Sequence, residues 1–467
     1  MTGPKPEASR ETAPRAQPWS FSADWRAATL AALGLLLLTA SPPHRVDLPL
    51  YGALAVATAA AWRPGPAVAA IGAALPFFGF GRDVGPVSFS APGLALVLVG
   101  LGALSRAVWD RFRRPRRGTW LRAPTSPLDL PLAGFLVAAL VSLLVTEYPR
   151  LSVRELRSLI LEPVLFFWLL RVLRGLDADH WAVRGFLASA VVAALAALLQ
   201  SALGLGGTEA EGVRRAQAWY PSPNHLALML GRALPLLLAE SLAGGHRWLG
   251  RAGALLTAAA MAVTFSLGAI LGGLASTIAV LLALGRRRGA LRLGSVAVAL
   301  LLGVAVLGLI GVLPERLNPL RPSSGFRVEL WLSSLAMIRD HPLLGVGLDN
   351  FVYLYQQVYL REGGAAEPNL SHPHNWVLHL WLQLGVLGLL SFVTLCWKIG
   401  RAAYGSALGA AEGGDRGPNW LAVGVLGALV ATLVHGLIDN SYFLPDLAAL
   451  FWLGAAVAFR QSEPARR

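Results

Sequence analysis

The chain has 467 residues, of which 55% are hydrophobic and 14% are charged, and its mean hydropathy is +0.56. Soluble globular proteins carry about 45–50% apolar and about 25% charged residues, so this composition excludes an ordinary soluble enzyme. The apolar residues come in long blocks rather than heptads or Gly-X-Y repeats, which also excludes coiled coils and collagen. The single cysteine, Cys396, excludes a disulfide framework and a thiolate metal cluster.

The first 26 residues are rich in Pro, Ala and charge, and 1–26 is predicted to be a disordered cytoplasmic N-terminus. The apolar run Ala31–Leu38, followed by Thr-Ala-Ser-Pro, has some features of a signal peptide. A polar lead of this length is long for a signal-peptide n-region, which favours an uncleaved span.

Apolar blocks suited to membrane spans follow along the whole chain. A bilayer core needs about 20 apolar residues per helix, with about 17–25 usual. The blocks lie near 27–40, 48–62, 66–80, 91–109, 128–146, 155–173, 184–203, 224–243, 252–268, 269–285, 293–313, 376–397, 420–437 and 444–459. The first three are short, and Ser266-Leu267-Gly268 is the expected turn between two of the later ones. We therefore predict an all-α polytopic membrane protein with about 12–14 transmembrane helices, in a single transmembrane domain over 27–459.

Basic residues set the expected orientation, and all but Lys5 and Lys398 are arginine. The clusters are Arg111, Arg113, Arg114, Arg116, Arg117 and Arg122; Arg286, Arg287, Arg288 and Arg292; Lys398 and Arg401; and Arg460, Arg466 and Arg467. With fourteen alternating spans all four clusters fall on one side, together with Arg10, Arg15 and Arg26. Short cytoplasmic loops carry an excess of Lys and Arg, so this side and the tail 460–467 are predicted to be cytoplasmic.

Two segments on the opposite side also carry arginine. The first, about 204–223, contains Arg214 and Arg215, and the second, about 314–375, is the longest loop. The long loop carries Arg316, Arg321, Arg327, Arg339 and Arg361. Its stretch Phe326–Ile338 has helix-compatible apolar spacing, which predicts short helices within the loop. A long loop with its own structure is often functional, so this loop is predicted to carry the active site.

The string His372-Pro373-His374-Asn375-Trp376 enters a span that contains Gly385 and Gly388. The pattern His374-Asn375, nine residues, Gly385, two residues, Gly388 resembles the hallmark of the O-antigen ligase family. The upstream string from Gly325-Phe326-Arg327 to Gly347-Leu348-Asp349-Asn350-Phe351 is similar to the segment that precedes this hallmark. Arg215 with Pro223-Asn224-His225 is a third match. These segments cover about 213–240 and 325–395.

The resemblance implies a GT-C-like membrane glycosyltransferase of the bacterial inner membrane. Such a protein moves a glycan from undecaprenyl diphosphate to a periplasmic acceptor without metal, nucleotide or other cofactor. Ligases of lipopolysaccharide biosynthesis use lipid A-core as the acceptor; relatives extend a lipid-linked glycan or glycosylate a protein. Residue by residue, Arg215 and Arg327 match the family's essential arginines and His374 its essential histidine. Two positions depart from the family: Leu267 stands where arginine is frequent in Ser-Arg-Gly, and Ala218 where glycine is common.

These residue types suit that chemistry. Arginine presents a permanently charged planar fork to phosphate oxygens, so Arg215, Arg327 and the adjacent Arg214 are the candidates for holding a diphosphate. A histidine is the usual general base near neutral pH, so His374 is the candidate base and His372 the second choice. Asn375 is a suitable N-cap for the helix that follows. The cap would place His374 at the positive end of a helix dipole, which disfavours an imidazolium and favours a nearby anion.

Two ionisable residues, Glu162 and Arg232, fall within predicted spans. Buried charges in membranes are costly and are usually paired, so we expect these two to face each other or the diphosphate cavity. A purely structural pair is the alternative. His435 and Asp439, near the outer end of a late span, form a weaker candidate pair, for which capping or ion pairing alone is the alternative.

A secondary transporter is the alternative from another functional class, because fourteen spans is also a transporter-like number. Transporters place polar sites at the membrane midplane, often on internal repeats. Here the polar cluster is predicted at the outer surface and the chain shows no convincing repeat, which favours an enzyme. The arginine excess indicates membrane topology rather than a nucleic-acid partner.

Overall fold

The computed structural model describes residues 22–41, 47–85, 87–113, 125–312, 322–364, 368–412 and 418–460. Most of the predicted N-terminal segment 1–26 and the tail beyond Arg460 lie outside these ranges. Several arginines of the topology argument also lie outside them: Arg10, Arg15, Arg114, Arg116, Arg117, Arg122, Arg316, Arg321, Arg466 and Arg467.

The N-terminal part of the described chain is helical apart from one short hairpin. Its α-helices are α1 (Ala23–Ala40), α2 (Asp47–Trp62), α3 (Pro64–Ala67), α4 (Ala69–Ala74), α5 (Ala91–Arg113), α6 (Asp129–Val141), α7 (Pro149–Glu155), α8 (Glu162–Val172) and α9 (Ala178–Leu203). Strands β1 (Gly81–Val84) and β2 (Val87–Ser90) pair antiparallel between α4 and α5. One-turn 3₁₀ segments follow α4, α6 and α8, and a π-helical segment, Leu156–Leu161, joins α7 to α8.

The C-terminal part is also helical apart from one short hairpin, and its helices are on average longer. They are α10 (Pro223–Ala243), α11 (Arg247–Val263), α12 (Leu267–Ala283), α13 (Arg287–Leu309), α14 (Pro322–Asp340), α15 (Phe351–Leu354), α16 (Trp376–Glu412), α17 (Trp420–Gly436) and α18 (Pro445–Arg460). Strands β3 (Thr208–Ala210) and β4 (Val213–Arg215) form a second antiparallel hairpin before α10. A π-helical segment, Tyr355–Tyr359, and a 3₁₀ turn, Glu362–Gly364, follow α15.

Each of the fourteen apolar blocks contains helix among its described residues, and the predicted all-α polytopic membrane protein is confirmed. Among the described residues, six helices are long and apolar enough to cross a membrane: α1, α5, α9, α10, α13 and α16. Four further apolar segments are shorter. The break between α11 and α12 lies at Thr264–Ser266, slightly earlier than the predicted Ser266-Leu267-Gly268 turn. The predicted long loop contains α14 and α15, so it carries helices of its own.

The π-helical segment before α8 depends on a proline. Pro163 has no N–H group, so the carbonyl of Leu159 loses the donor that an α-helix would supply four residues later. The hydroxyl of Tyr442 donates to that carbonyl at 3.1 Å, and Trp452 Nε1 donates to the same hydroxyl at 3.0 Å. Two distant segments thereby satisfy a polar group that would be costly to leave unpaired in a membrane.

Helix α16 contains a kink at Gly385, where φ is 67°. The backbone of 343–346 enters the kink: Val346 N donates to Leu382 O at 2.6 Å, and Val386 N donates to Leu343 O at 3.0 Å. A Cβ atom at Gly385 would overlap the carbonyl oxygen of Leu343. The glycine of the sequence pattern therefore serves two needs, a left-handed backbone and close approach of a second chain segment.

The residues after this contact are held by Asn350, which is fully buried. Its Oδ1 accepts from the backbone N–H groups of Glu147 and Tyr148 at 3.1 and 3.2 Å. Its Nδ2 contacts Thr146 Oγ1 at 2.7 Å and Ser152 Oγ at 3.0 Å. The segment between α14 and α15 is thus fixed to the turn between α6 and α7, which orients the long loop on the helical bundle.

Short connections make sequential helices antiparallel, which sorts the loops to two ends of the bundle. One end, called here the loop end, holds the β3–β4 hairpin, the α11–α12 turn, the segment before α16 and the α17–α18 connection. The described residues of the predicted basic clusters, including Arg286, Lys398 and Arg460, lie toward the other end. The candidate site residues and the arginines of the predicted cytoplasmic clusters therefore lie toward opposite ends of the helices.

We expect Gly385→Ala to destabilise the protein by about 1–3 kcal/mol, because a side chain must enter a left-handed conformation against the Leu343 carbonyl. Gly405→Ala on the same helix is the matched control, because nothing lies within 4 Å of its added methyl group. The control should be neutral or stabilising by up to about 1 kcal/mol. Thermal unfolding of the detergent-purified variants measures the difference, and equal midpoints would contradict the role given to Gly385.

Candidate active site

A histidine and an aspartate that are 65 residues apart meet at the loop end. His374, two residues before α16, places Nδ1 3.0 Å from Asp439 Oδ1 in the α17–α18 connection. The imidazole is 17% exposed and the carboxylate 6%, so the aspartate lies beneath a histidine that substrate can reach. A carboxylate on Nδ1 fixes the tautomer in which Nε2 is the basic nitrogen.

His372 is a second histidine on the same carboxylate. Its Nε2 lies 3.5 Å from Asp439 Oδ1, and its ring centroid is 4.3 Å from that of His374. Burial lowers the pKa of His372, the neighbouring His374 lowers it further, and Asp439 opposes both. The donor atoms of the three residues lie within 4.8 Å of one another, a set that could also hold a divalent cation.

Asp439 remains ionised in this buried position. Burial alone would raise the pKa of Asp439, but the imidazoles of His374 and His372 hold it well below its usual range. Its Oδ1 also accepts from the backbone N–H of Asn440 at 2.8 Å. The sequence predicted Asp439 only as a weaker candidate, paired with His435. Its pairing with His374 could not be read from the sequence, because the two residues lie 65 residues apart in different interhelical segments.

Asn375 caps α16 as predicted. Its Oδ1 accepts from the backbone N–H groups of Val377 and Leu378 at 2.9 and 3.2 Å, and its Nδ2 donates to Leu437 O at 3.1 Å. The first two bonds satisfy exposed helix donors, and the third joins the start of α16 to the end of α17. The same residue therefore starts the helix and brings Asp439 toward His374.

The long loop fixes the histidine segment from the other side. Trp331 on α14 donates from Nε1 to Pro373 O at 2.9 Å, and Trp381 donates to Pro342 O at 2.8 Å. His374 itself has φ 48°, a left-handed conformation uncommon for residues other than glycine. Such a conformation persists only where the surroundings impose it, and clusters at functional sites.

Arg232 supports the aspartate loop from within the bundle. This buried arginine on α10 donates from Nη2 to Ser441 O at 3.0 Å and to Ser441 Oγ at 2.7 Å. It also lies within electrostatic range of Asp439 and Asp446. Arg232 thus holds the α17–α18 connection, two residues from Asp439.

The predicted pairing of Glu162 with Arg232 is wrong. Glu162 lies 3.5 Å from Arg157 Nε and packs beside Gly93 and Ser90 near the β1–β2 hairpin. Arg232 donates hydrogen bonds to Ser441 instead. The partner of Glu162 is Arg157, five residues earlier in the same helical element. The partner of Arg232 is Ser441, 209 residues further along the chain. The sequence predicted neither pairing.

Arg215 lies at the junction of four elements. The guanidinium is 6% exposed; its Nε donates to Thr264 O at 2.8 Å and its Nη2 to Asn224 Oδ1 at 2.6 Å. These bonds tie the β3–β4 hairpin to the α11–α12 turn and to the first turn of α10. Ala218, where the resembling family commonly has glycine, adopts φ 51°, so this chain places an alanine in a conformation that favours glycine.

Arg327 projects from the first half of α14 toward the same region. It lies within electrostatic range of His435, as does Arg232. The ring of His435 packs on Gly268, where an added Cβ would overlap it. Arg327 therefore stands near the N-terminus of α12, the place where the Ser266-Leu267-Gly268 string lacks the expected arginine.

Arg214 faces away from this cluster. It is half exposed and donates to Glu209 Oε1 at 2.7 Å and to Gly204 O at 2.6 Å. Within the described residues these contacts stabilise the hairpin itself. The structure thus brings His374, His372, Asn375 and Arg232 around Asp439, places Arg215 and Arg327 at the same end, and leaves Arg214 and Glu162 apart.

A second buried histidine–aspartate pair adjoins the first. His225 Nε2 lies 2.9 Å from Asp446 Oδ1, and Tyr220 donates to Asp446 Oδ2 at 3.4 Å. His225 lies within electrostatic range of His372. This pair connects α10 to α18; His225 belongs to a string that resembles the family, but its pairing with Asp446, 221 residues away, was not predicted.

Three buried polar atoms near His374 have no hydrogen-bond partner among the described residues: His379 Nδ1, His435 Nε2 and Trp376 Nε1. Each such atom costs about 1–3 kcal/mol unless water or a ligand satisfies it. The side chains of His379 and His435 neighbour the His374–Asp439 pair, so the polar groups of this region extend beyond the pair itself.

Residues 252–393 match a family model described as O-antigen ligase. This part of the chain, about a third of its length, is therefore similar to the O-antigen ligase family. The matched range contains Arg327, His374 and Asn375 together with the α16 kink, whereas Arg215 and Asp439 lie outside it. The resemblance stated from the sequence is confirmed.

Curated relatives agree over limited lengths. An O-antigen ligase of Pseudomonas aeruginosa is 31% identical over 190 residues, 40% of this chain and 41% of that protein. Proteins named provisionally as polysaccharide ligases in Rickettsia conorii and Rickettsia felis are 32% and 30% identical over 89 residues, 18% of this chain and 22% of each. The chain thus covers less than half of the length of these relatives.

We expect Arg232→Met to destabilise the protein by about 3 kcal/mol or more, because it removes a buried cation that the Ser441 oxygens and two nearby carboxylates require. Arg214→Met is the matched control: its ion pair is exposed, and such pairs contribute about 0–1 kcal/mol. Thermal unfolding in detergent compares the two, and a larger loss in the Arg214 variant would contradict this assignment.

Proposed function

We propose that the protein is a membrane glycosyltransferase that transfers a glycan from undecaprenyl diphosphate to an acceptor, in the manner of an O-antigen ligase acting on lipid A-core. The observation that carries this proposal is the His374–Asp439 pair at the loop end, with Arg215 and Arg327 at the same end. The similarity of residues 252–393 to the O-antigen ligase family supports an enzyme acting on glycans.

The proposed reaction is a single displacement. The acceptor hydroxyl attacks the anomeric carbon of the donor sugar while its proton passes to His374 Nε2. The bond between that carbon and the diphosphate oxygen breaks, and its electron pair leaves on the diphosphate. Asp439 stabilises the imidazolium that forms, and the guanidinium groups of Arg215 and Arg327 stabilise the charge of the leaving group. Arg214, adjacent to Arg215 in the chain, is a further proposed contact of the diphosphate, although in this structure it bonds Glu209 and Gly204.

We propose that the reaction needs no metal, although His372, His374 and Asp439 have the composition of a cation site. Hydrogen bonding explains the distances of 3.0 and 3.5 Å between the imidazoles and the carboxylate without an ion. Activity that survives exhaustive chelation supports this mechanism. Activity that is lost with the chelator and returns with one divalent cation overturns it.

The positions of the basic residues indicate how the protein is oriented in the membrane. We propose a multi-pass protein of the bacterial inner membrane with cytoplasmic termini and the loop end in the periplasm, because the described basic clusters lie toward the opposite helix ends. Cysteine-accessibility labelling at exposed positions of the two ends tests the orientation in cells.

The candidate functions differ in the molecule that accepts the glycan. Purified protein is supplied with undecaprenyl-diphosphate-linked glycan and, in separate reactions, with lipid A-core, a second lipid-linked glycan or a protein acceptor. Product on lipid A-core supports the ligase. Chain extension indicates an O-antigen polymerase, and protein labelling indicates a protein O-glycosyltransferase. Substrate flux into liposomes without any transfer would instead indicate a transporter.

We expect His374→Ala to abolish glycan transfer while expression and membrane insertion persist, because the mutation removes the base without disturbing a helix. His341→Ala is the control, since this histidine lies on the same long loop with an exposed side chain. Transfer is measured with purified protein and labelled donor. Wild-type transfer by the His374 variant would refute the proposed base.

We expect Asp439→Asn to lower the transfer rate by about 10²–10⁴-fold, because the base loses its orienting anion. The imidazoles of His374 and His372 hold the pKa of Asp439 well below its usual range, so the carboxylate stays ionised at neutral pH and in mild acid. The ratio of wild-type to variant rates should therefore not fall toward unity as pH decreases from 8 to 5. A ratio that collapses within this window would show that Asp439 titrates there.

A further inference from the structure

The two histidines and the aspartate of the candidate site also have the arrangement of a metal-ligand set. His374 Nδ1 lies 3.0 Å and His372 Nε2 lies 3.5 Å from Asp439 Oδ1, and the three atoms lie within 4.8 Å of one another. Zinc bonds to imidazole nitrogen and carboxylate oxygen are about 2.0–2.2 Å long, which places neighbouring ligand atoms of a tetrahedral ion about 3.3 Å apart. Small side-chain movements therefore suffice for one ion to bind all three atoms.

The backbone holds the two imidazoles close together. His372 and His374 flank Pro373, whose ring fixes one backbone torsion and whose carbonyl accepts the hydrogen bond of Trp331 Nε1 at 2.9 Å. The centroids of the two imidazole rings are 4.3 Å apart. Both nitrogen ligands are therefore near each other before an ion arrives, which lowers the entropic cost of binding it.

The oxygen ligand is held in place as well. Asp439 Oδ1 accepts from the backbone N–H of Asn440 at 2.8 Å, and Arg232 holds Ser441, two residues further along. The carboxylate is 6% exposed, whereas the imidazoles of His372 and His374 are 21% and 17% exposed. The set thus combines a fixed carboxylate with two imidazoles that an ion can reach from solvent, and water can fill the fourth position of a tetrahedral ion.

Two nitrogen ligands and one oxygen ligand favour Zn²⁺ over Mg²⁺ and Ca²⁺. Imidazole nitrogen suits zinc, which is most often four-coordinate in proteins. Mg²⁺ and Ca²⁺ take about six to eight ligands, nearly all of them oxygen, and this set supplies one carboxylate. The chemistry of the ligand set therefore selects a transition-metal ion with a tetrahedral preference.

An ion bound at Nδ1 changes the tautomer of His374. In the pair with Asp439, Nδ1 carries the proton of the neutral ring, and the lone pair of Nε2 is free to accept a proton. An ion on Nδ1 takes up the lone pair of that nitrogen, so the single ring proton must then be on Nε2. In this form Nε2 is a hydrogen-bond donor and cannot accept the proton of an attacking hydroxyl.

We propose that Zn²⁺ binds to His372, His374 and Asp439 and inhibits glycan transfer reversibly, because it holds His374 in the tautomer that cannot act as a base. The inhibition rests on the proposed function, since it acts on the base of that reaction. The binding of the ion does not depend on that function. In this proposal Zn²⁺ is an inhibitor rather than a cofactor, and the metal-free histidine–aspartate pair is the active form.

Isothermal titration calorimetry of the full chain in detergent with ZnCl₂ tests the binding. We expect one high-affinity ion per chain, no binding of Mg²⁺, and an affinity for Zn²⁺ that falls about 100-fold or more in His372→Ala and in Asp439→Asn. His180→Ala is the matched control, because His180 Nδ1 also lies 3.3 Å from a carboxylate, but Arg460 pairs with that carboxylate. Its affinity should equal that of the wild type. Equal affinity of the wild type and both site variants overturns the proposal.

Transfer assays with metal-free protein test the inhibition. Saturating ZnCl₂ should lower the wild-type rate about 100-fold or more, because the base is lost, and addition of EDTA should restore the rate. His372→Ala is compared with its own zinc-free rate, and it should need about 100-fold more Zn²⁺ for the same fractional inhibition.

The outcomes separate the two proposals. Wild-type transfer that is unchanged at saturating Zn²⁺ overturns the inhibition and leaves the proposed function standing. Equal inhibition of the wild type and His372→Ala does the same, because it assigns the effect to Zn²⁺ bound by the donor diphosphate. If the metal-free wild-type protein transfers no glycan to any acceptor, the proposed function fails and the inhibition fails with it, and the calorimetry still decides whether Zn²⁺ binds to this site.

Discussion

The ionised carboxylate of Asp439, buried at the end of an apolar bundle, is the constraint on which the candidate site depends. An isolated charge in such a place costs several kcal/mol, so it persists only where neighbours compensate it. His374, His372 and the Asn440 backbone N–H supply that compensation. The interaction also serves the proposed chemistry. The imidazole of His374 compensates the buried charge of Asp439, and the carboxylate in turn orients the imidazole.

Much of the surrounding structure serves to keep this pair together. Arg232 holds the loop of the aspartate from below, and Trp331 holds the loop of the histidine from the side. The kink at Gly385 gives the 343–346 segment a place to pair with α16, which positions the long loop that bears Trp331. The contacts with Pro373 and Leu382 are made to backbone carbonyls, whereas Arg232 bonds both the carbonyl and the hydroxyl of Ser441.

Apolar block length was sufficient to predict the helices, since no other regular structure satisfies backbone groups in a membrane by local bonds. Asn375 was predictable as a cap because capping acts over two or three residues. The Glu162–Arg232 pairing failed for the opposite reason. Which face each helix turns toward the bundle depends on packing. Packing places Glu162 beside Arg157 and Arg232 beside Ser441, and the sequence does not show these orientations.

The sequence by itself determined the fold class, the helical blocks, the resemblance of residues 252–393 to the O-antigen ligase family and the choice of His374 as the candidate base, because these follow from local composition and a short ordered pattern. Only the tertiary structure decided the partner of His374, the contacts of Arg232 and the different environments of Arg214 and Arg215. Each of these depends on how helices far apart in the chain approach one another, and a hydrogen bond across 65 residues leaves no periodic trace in either segment.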